Sequence, residues 1–306
     1  MLKKIRVALA ILFWAGITLL LLDFTGSLHR WLGWMARIQF LPAVLALNAA
    51  VIAGLVLLTL LFGRIYCSVI CPLGVFQDAV AHVAVARKRR RKDRKPYGWS
   101  PERKWLRYGI WVLFIAALIA GVQVFVALLA PYSAYGRIVQ NFLQPIVLWG
   151  NNLLARLAER AGSYAFYSRE VWLRSLPAFL VAAATLVAVV VLAWRNGRTW
   201  CNTLCPVGTT LGFFSRFALF RPVIDPEKCR DCRVCEHHCK AACIDIDRHE
   251  IDYSRCVDCF NCLEDCKFGA LKYRFALGRK GRAKRAEAAG TPEAGLSSSV
   301  QSLSCV

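Results

Sequence analysis

The chain has 306 residues, 57% of them hydrophobic and only 19% charged, with a formal net charge of +21. So apolar a composition excludes an ordinary soluble domain and fits a membrane protein. The positive charge sits in loops, which argues against nucleic acid, and the fourteen cysteines cluster at short spacings that read as metal ligation rather than a disulfide framework.

Four charge-free stretches are long enough to cross a hydrocarbon core of roughly 30 Å at about 1.5 Å per helical residue. The first runs from about Val7 to Leu22, between Arg6 and Asp23. LKKIR precedes it as in a signal peptide, but LLLLDFTGSLHR offers no small-x-small cleavage site, so an uncleaved helix is predicted. The second lies between Arg37 and Arg64, the third between Arg107 and Arg137, the fourth between Arg174 and Arg195. A fifth uncharged run, 138–155, carries Gln140, Asn141, Gln144, Pro145, Asn151 and Asn152. Unpaired amides are costly in hydrocarbon, so an interfacial or re-entrant helix is predicted there.

Lysine and arginine counts set the orientation. Lys3, Lys4 and Arg6 mark the N-terminal tip, and the segment 64–107 has twelve basic residues. The segment 24–37 has only Arg30 and Arg37, and 131–174 has five. The N-terminus, the 64–107 loop and everything after Arg195 are therefore predicted to be cytoplasmic. The polybasic loop 87–107, with ARKRRRKDRK, reads as a topology signal leaning on anionic lipid headgroups. Trp31, Trp34, Trp105, Trp172, Trp194 and Trp200 fall near the predicted helix ends, where indole favours the headgroup level.

GRIYCSVICPLG at 63–74 follows the second span, and GRTWCNTLCPVG at 197–208 follows the fourth, 134 residues later (197 minus 63). The chain thus reads as two hairpins of the same orientation, related by a pseudo-twofold axis along the membrane normal. That relation would bring Cys67, Cys71, Cys201 and Cys205 together at the cytoplasmic membrane surface as a candidate redox or additional metal site. Pro72 and Pro206 suit the first position of a helix, so each motif is predicted to open an interfacial helix. A thiol at such an N-terminus is expected to have a lowered pKa. Buried structural thiols are the plainer reading, which the repetition weighs against, and a disulfide is disfavoured in a reducing cytoplasm. A shared metal or iron–sulfur site and a reversible dithiol pair both remain open.

The strongest signal is CRDCRVCEHHC (229–239) followed by CVDCFNCLEDC (256–266). Each is C-x2-C-x2-C-x3-C, and the two are offset by 27 residues at all four positions (256 minus 229). Such runs hold paired [4Fe–4S] clusters, with the fourth cysteine of each run ligating the other cluster. Cys229, Cys232, Cys235 and Cys266 are assigned to one cluster, and Cys256, Cys259, Cys262 and Cys239 to the other. Zinc sites show two separated C-x2-C pairs instead. Lys240 and Lys267 stand where bacterial runs have proline, and their charge is expected to favour the reduced clusters. Cys243 matches Ala270 under the same offset and is read as small, buried and not a ligand. His237 and His238 are not needed as ligands, and His29, His82 and His249 have no motif around them. No histidine falls within the four spans, so no bis-histidine haem is expected, and electrons reaching the bilayer would need a partner or a quinone. The tail 277–306, with Cys305, is low in bulky apolar residues; disorder and no role are expected for it.

With these motifs in hand, residues 5–276 resemble the NapH-type membrane ferredoxins, and the membrane portions of NosR-type and CcoG-type proteins are similar. NosR-type members add a periplasmic flavin domain and CcoG-type members, copper-reducing assembly factors, add a C-terminal domain. The NapH-type pattern fits residues 7–275 best. The resemblance implies a membrane α-helical bundle of four transmembrane helices in two parallel hairpin repeats (1–221). A small α+β bacterial-type 2[4Fe–4S] ferredoxin domain follows (222–276). It further implies a bacterial inner-membrane protein relaying single electrons through two clusters, between a quinone pool or soluble reductant and a partner reductase, as in the membrane component of a quinol dehydrogenase. Partners implied are membrane lipid and other redox subunits, with no nucleic acid. Two other readings stand beside it: a metal-handling factor whose CxxxCP thiolates bind or reduce an ion for another enzyme, and a scaffold whose clusters only hold a docking domain folded.

Overall fold

The computed structural model describes residues 1–23, 26–90, 97–160, 167–168, 170 and 175–276. The tail 277–306 with Cys305, the basic residues Arg91, Lys92, Arg94 and Lys95, and Trp172 and Arg174 lie outside the described residues.

Helix α1 (Leu2–Leu22) matches the first predicted span. The second predicted span is broken. After α2 (Ser27–Arg37), which packs along α1, come α3 (Phe40–Leu45) and α4 (Ala49–Phe62). The break lies at Leu47, whose φ of 51° is left-handed, and Asn48 caps α4 by accepting the Val51 N–H at 3.3 Å. Hydropathy sees one apolar run there; the backbone makes a turn. Short α5 (Ile65–Val69) and long α6 (Pro72–Arg90) carry the first cysteine motif onward.

The third predicted span is also divided. Helix α7 (Lys104–Ile119) stops before Gly121, whose φ of 73° needs glycine, and α8 (Gln123–Leu129) follows. Pro131 then opens α9 (Pro131–Ile138), which continues through a π-turn (Val139–Leu143) into α10 (Gln144–Arg160). The uncharged run 138–155 is thus helical, and its first residues, Ile138 and Val139, are buried in the core rather than lying on its surface. Backbone carbonyls answer its amides: Asn141 Nδ2 donates to Arg137 O at 2.8 Å and Asn151 Nδ2 to Tyr167 O at 2.9 Å. Helix α11 (Leu176–Asn196) matches the fourth span; a π-turn (Trp200–Leu204) and α12 (Pro206–Ser215) complete the second motif. Among the described helices, α1 and α11 are long and apolar enough to cross a bilayer unaided.

Both helices opened by the motif prolines form as predicted, and one face of each is buried in the bundle. Leu73, Gln77, Ala81 and Ala84 of α6 are fully buried against α1, α9 and α11, and Val207 and Leu211 of α12 are equally enclosed. The alanines permit close helix approach.

The remainder is a small α+β unit. Strand β1 (Phe220–Ile224) pairs antiparallel with β4 (Leu271–Phe275), and β2 (Ile244–Asp245) with β3 (Glu250–Ile251). The 27-residue repeat extends to the backbone. Asp231 and Arg233 have φ of 49° and 54°, and Asp258 and Phe260 have 48° and 60°. Each pair turns the chain into a short helix, α13 (Val234–His237) and α14 (Asn261–Asp265). The unit docks on the end of α4: Phe62 stacks on Phe220 at 5.7 Å, and the Leu219 N–H donates to Leu60 O at 2.8 Å.

Candidate metal centres

The eight cysteines of the twin runs line two small cavities. Cys229, Cys232, Cys235 and Cys266 face one, and Cys239, Cys256, Cys259 and Cys262 face the other. Each cavity takes three cysteines from one run and one from the other, the exchange that the spacing predicts. The first is the outer cavity, with Cys232 exposed. The second is the inner one: Val257 is buried in the same apolar core as Cys67, Cys71 and Cys205, and Cys259 packs against that core.

His237 and His238 are held by other partners, whereas His249 and Asp231 lie within 4.8 Å of Cys229 Sγ. His237 Nδ1–H donates to Tyr97 O at 3.1 Å, His238 meets Asp265 at 2.9 Å, and His249 meets Asp231 at 2.9 Å. Among the described residues, no three of these cysteine sulfurs lie within 4.8 Å of one another. A single tetrahedral ion with 2.3 Å bonds would hold its sulfurs about 3.8 Å apart.

Cys67, Cys71, Cys201 and Cys205 are all buried, and Cys205 feels the charge of the other three, Cys71 that of Cys201 and Cys67. The helix N-termini act as predicted: the Gly208 N–H donates to Cys205 Sγ at 3.4 Å. Burial outweighs them, however, and pushes Cys71, Cys201 and Cys205 up rather than down. Those three enclosed thiols resist ionisation unless a cation takes the charge, which is the condition a metal group meets.

Two arginines that the sequence reading passed over build this site. Arg64 Nη2 reaches Cys67 Sγ at 3.8 Å and crosses to Cys201 O at 3.3 Å. Arg198 Nη1 reaches Cys201 Sγ at 3.9 Å and crosses to Cys67 O at 2.7 Å. Each guanidinium thus touches the cysteine of its own repeat and the backbone of the other. The closing glycines of the motifs make room. A Cβ on Gly74 would overlap Cys67 O and stand 2.8 Å from Arg198 Nη1; one on Gly208 would overlap Cys201 O and stand 2.8 Å from Arg64 Nη2. The recurrent Gly-Arg and Pro-x-Gly flanks of the two motifs were the available signal.

The repeat is broken where the charges are answered. Arg198 Nε donates to Asp78 Oδ1 at 2.8 Å, while Arg64 Nη1 donates to Asn202 Oδ1 at 2.8 Å and Ser254 O at 2.9 Å. The 134-residue offset maps Asp78 onto Gly212 (78 plus 134), and there Arg107 and Ser254 O occupy the space a side chain would take. Asp78 also binds Arg6 at 2.7 Å and Lys240 at 3.4 Å. Burial alone would raise its pKa, but Arg198, then Lys240 and Arg6, hold it far below the usual carboxylate range. Lys240 remains a positive charge beside the inner cavity, where it bears on Cys259. It is buried, paired to Asp78, and fixes the cysteine unit to the helices.

Comparison with known proteins falls on the same features. The profile of the 4Fe-4S binding domain family matches residues 44–96 and 177–224, the two CxxxCP repeats. The ferredoxin-type protein NapH of Escherichia coli is 27% identical over 200 residues, covering 65% of this chain and 55% of that protein. The methylamine utilization ferredoxin-type protein MauN of Paracoccus denitrificans is 26% identical over 196 residues, 63% of this chain and 54% of that one. NapH of Haemophilus influenzae is 26% identical over 207 residues, 67% and 56%. The chain is similar to ferredoxin-type proteins of the NapH kind over about two thirds of its own length. It spans about half the length of these relatives, and no solved structure matches it. Within this chain, the family profile covers the four buried thiols rather than the twin runs.

Proposed function

We propose that the chain is a membrane-anchored electron carrier. Two [4Fe–4S] clusters would be held by Cys229, Cys232, Cys235 and Cys266 in the outer cavity and by Cys239, Cys256, Cys259 and Cys262 in the inner one. A third iron–sulfur centre would be held by Cys67, Cys71, Cys201 and Cys205. The observation that carries the reading is contact between sites: Val257 lies in one apolar core with three of the four buried thiols, and Cys259 packs against it. When bound, such groups supply one-electron storage.

The protein's own residues prepare the path. Arg64 and Arg198 donate toward Cys67 and Cys201, favouring anionic sulfur. Arg6, Arg198 and Lys240 outnumber Asp78, leaving positive charge beside the thiols. Cys232, the exposed cysteine, offers the outer end to a soluble partner. Quinol or a soluble reductant would supply electrons at one end and a partner reductase take them at the other, in keeping with the ferredoxin-type names of the relatives. The anchor would be four spans with cytoplasmic termini in a bacterial inner membrane. Helices α1 and α11 would cross whole, and α3–α4 and α7–α8 as broken spans.

Iron counting during EPR-monitored stepwise reduction of the purified chain tests this. More than about eight irons per chain are expected, eight for two clusters and the rest at the third centre. C67S and C201S should return the count to about eight and block cluster reduction by quinol in membranes. A wild-type count of eight with a stoichiometric copper ion lost in C67S would instead favour metal handling. A count well below eight would sink the relay.

A further inference from the structure

Cys243 is a ninth thiol in a unit whose two cavities need eight. It is buried and lines the inner cavity beside the four cysteines assigned to it. Its Sγ lies 3.5 Å from Cys239 Sγ, and it also hydrogen-bonds Cys256. The 27-residue offset puts Ala270 at the same point of the outer cavity, which it likewise lines. The two otherwise matched cavities therefore differ by a thiol against a methyl group at a position touching the ligand sulfurs.

A cluster-bound cysteine is a thiolate and has no proton to give, so the proton in the 3.5 Å contact belongs to Cys243. We propose that Cys243 donates its one S–H hydrogen bond to the Cys239 sulfur and thereby raises the reduction potential of the inner cluster above that of the outer one. The inference rests on the two-cluster reading. A donor favours the reduced form, which carries one more negative charge on the same sulfurs. Enclosed at 2% exposure, the thiol does not trade this bond for water. One electron leaving the outer cluster would then pass downhill to the inner cluster, beside Val257 and the four buried thiols. The outer cavity has only the Ala270 methyl at this point and receives no such bond there.

EPR redox titration of the full chain, C243A, C243S and A270C tests this. C243A should lower one midpoint by roughly tenfold in its reduction equilibrium, about 59 mV for a one-electron couple, and leave the other unmoved. C243S keeps a donor and should fall between C243A and wild type. A270C should raise the other midpoint, and it carries the test even if shortening residue 243 loosens the inner cavity. Unmoved midpoints in C243A and A270C at full iron content would overturn the role of Cys243. So would loss of one cluster's iron in C243A, since Cys243 would then be a ligand. A wild-type chain short of about eight irons would instead overturn the two-cluster reading itself.

Discussion

Replacing Asp78 with asparagine tests how the cysteine unit is fixed to the helices. The Asp78 side chain is 8% exposed, and its three partners Arg6, Arg198 and Lys240 are 6%, 0% and 8% exposed. Asparagine keeps the shape and one acceptor oxygen but removes the charge, so three buried cations lose the only carboxylate that faces them among the described residues. Breaking one buried ion pair this way costs about 3–5 kcal/mol. At about 2–4 °C per kcal/mol for a chain of this order of size, D78N should melt roughly 6–20 °C lower. Tryptophan fluorescence of the detergent-solubilised chain reads the shift. D78N/K240M should recover part of the loss, because one stranded cation is gone. The sign with pH is fixed by the depressed folded pKa: the stabilisation is fully present above the unfolded value of about 3.9 and is lost only as pH falls through the folded value. The gap between wild type and D78N should therefore be the same at pH 6 and pH 8. A D78N melt within about 2 °C of wild type, or strict additivity with K240M, would refute the node as a support of the fold.

Two further perturbations address the buried thiols. G74A and G208A place a methyl group on the Cys67 or Cys201 carbonyl; each should cost about 1–3 kcal/mol and deplete iron beyond the two ferredoxin clusters while their EPR signals persist. R198K should destabilise more than R64K in the same melt. Arg198 Nε is tied to the buried Asp78 carboxylate through an N–H that lysine lacks, whereas the oxygens that Arg64 gives up are neutral.

Residue type and short spacing already grouped the cysteines of the twin runs as the two cavities group them. Cysteine at 27-residue offsets defines the two groups of four, and the left-handed φ values at Asp231, Arg233, Asp258 and Phe260 repeat with them. Proline after cysteine predicted the starts of α6 and α12, and an uninterrupted apolar run predicted α1 and α11, because each of these depends on residues within a few turns of one another. Hydropathy missed the breaks within α3–α4 and α7–α8, since it counts apolar residues and is blind to a φ reversal at Leu47 or Gly121. Burial of α6 was equally hidden, because its enclosed face is met by helices distant in the chain. The thiol pKa values rose where helix-end chemistry alone said they should fall, because desolvation by the whole fold is larger than the effect of a few amides. The partners of Arg64, Arg198 and Lys240 lie across three parts of the chain. Charge in a sequence shows that an ion must be answered, and only the packing of those parts decides which group answers it.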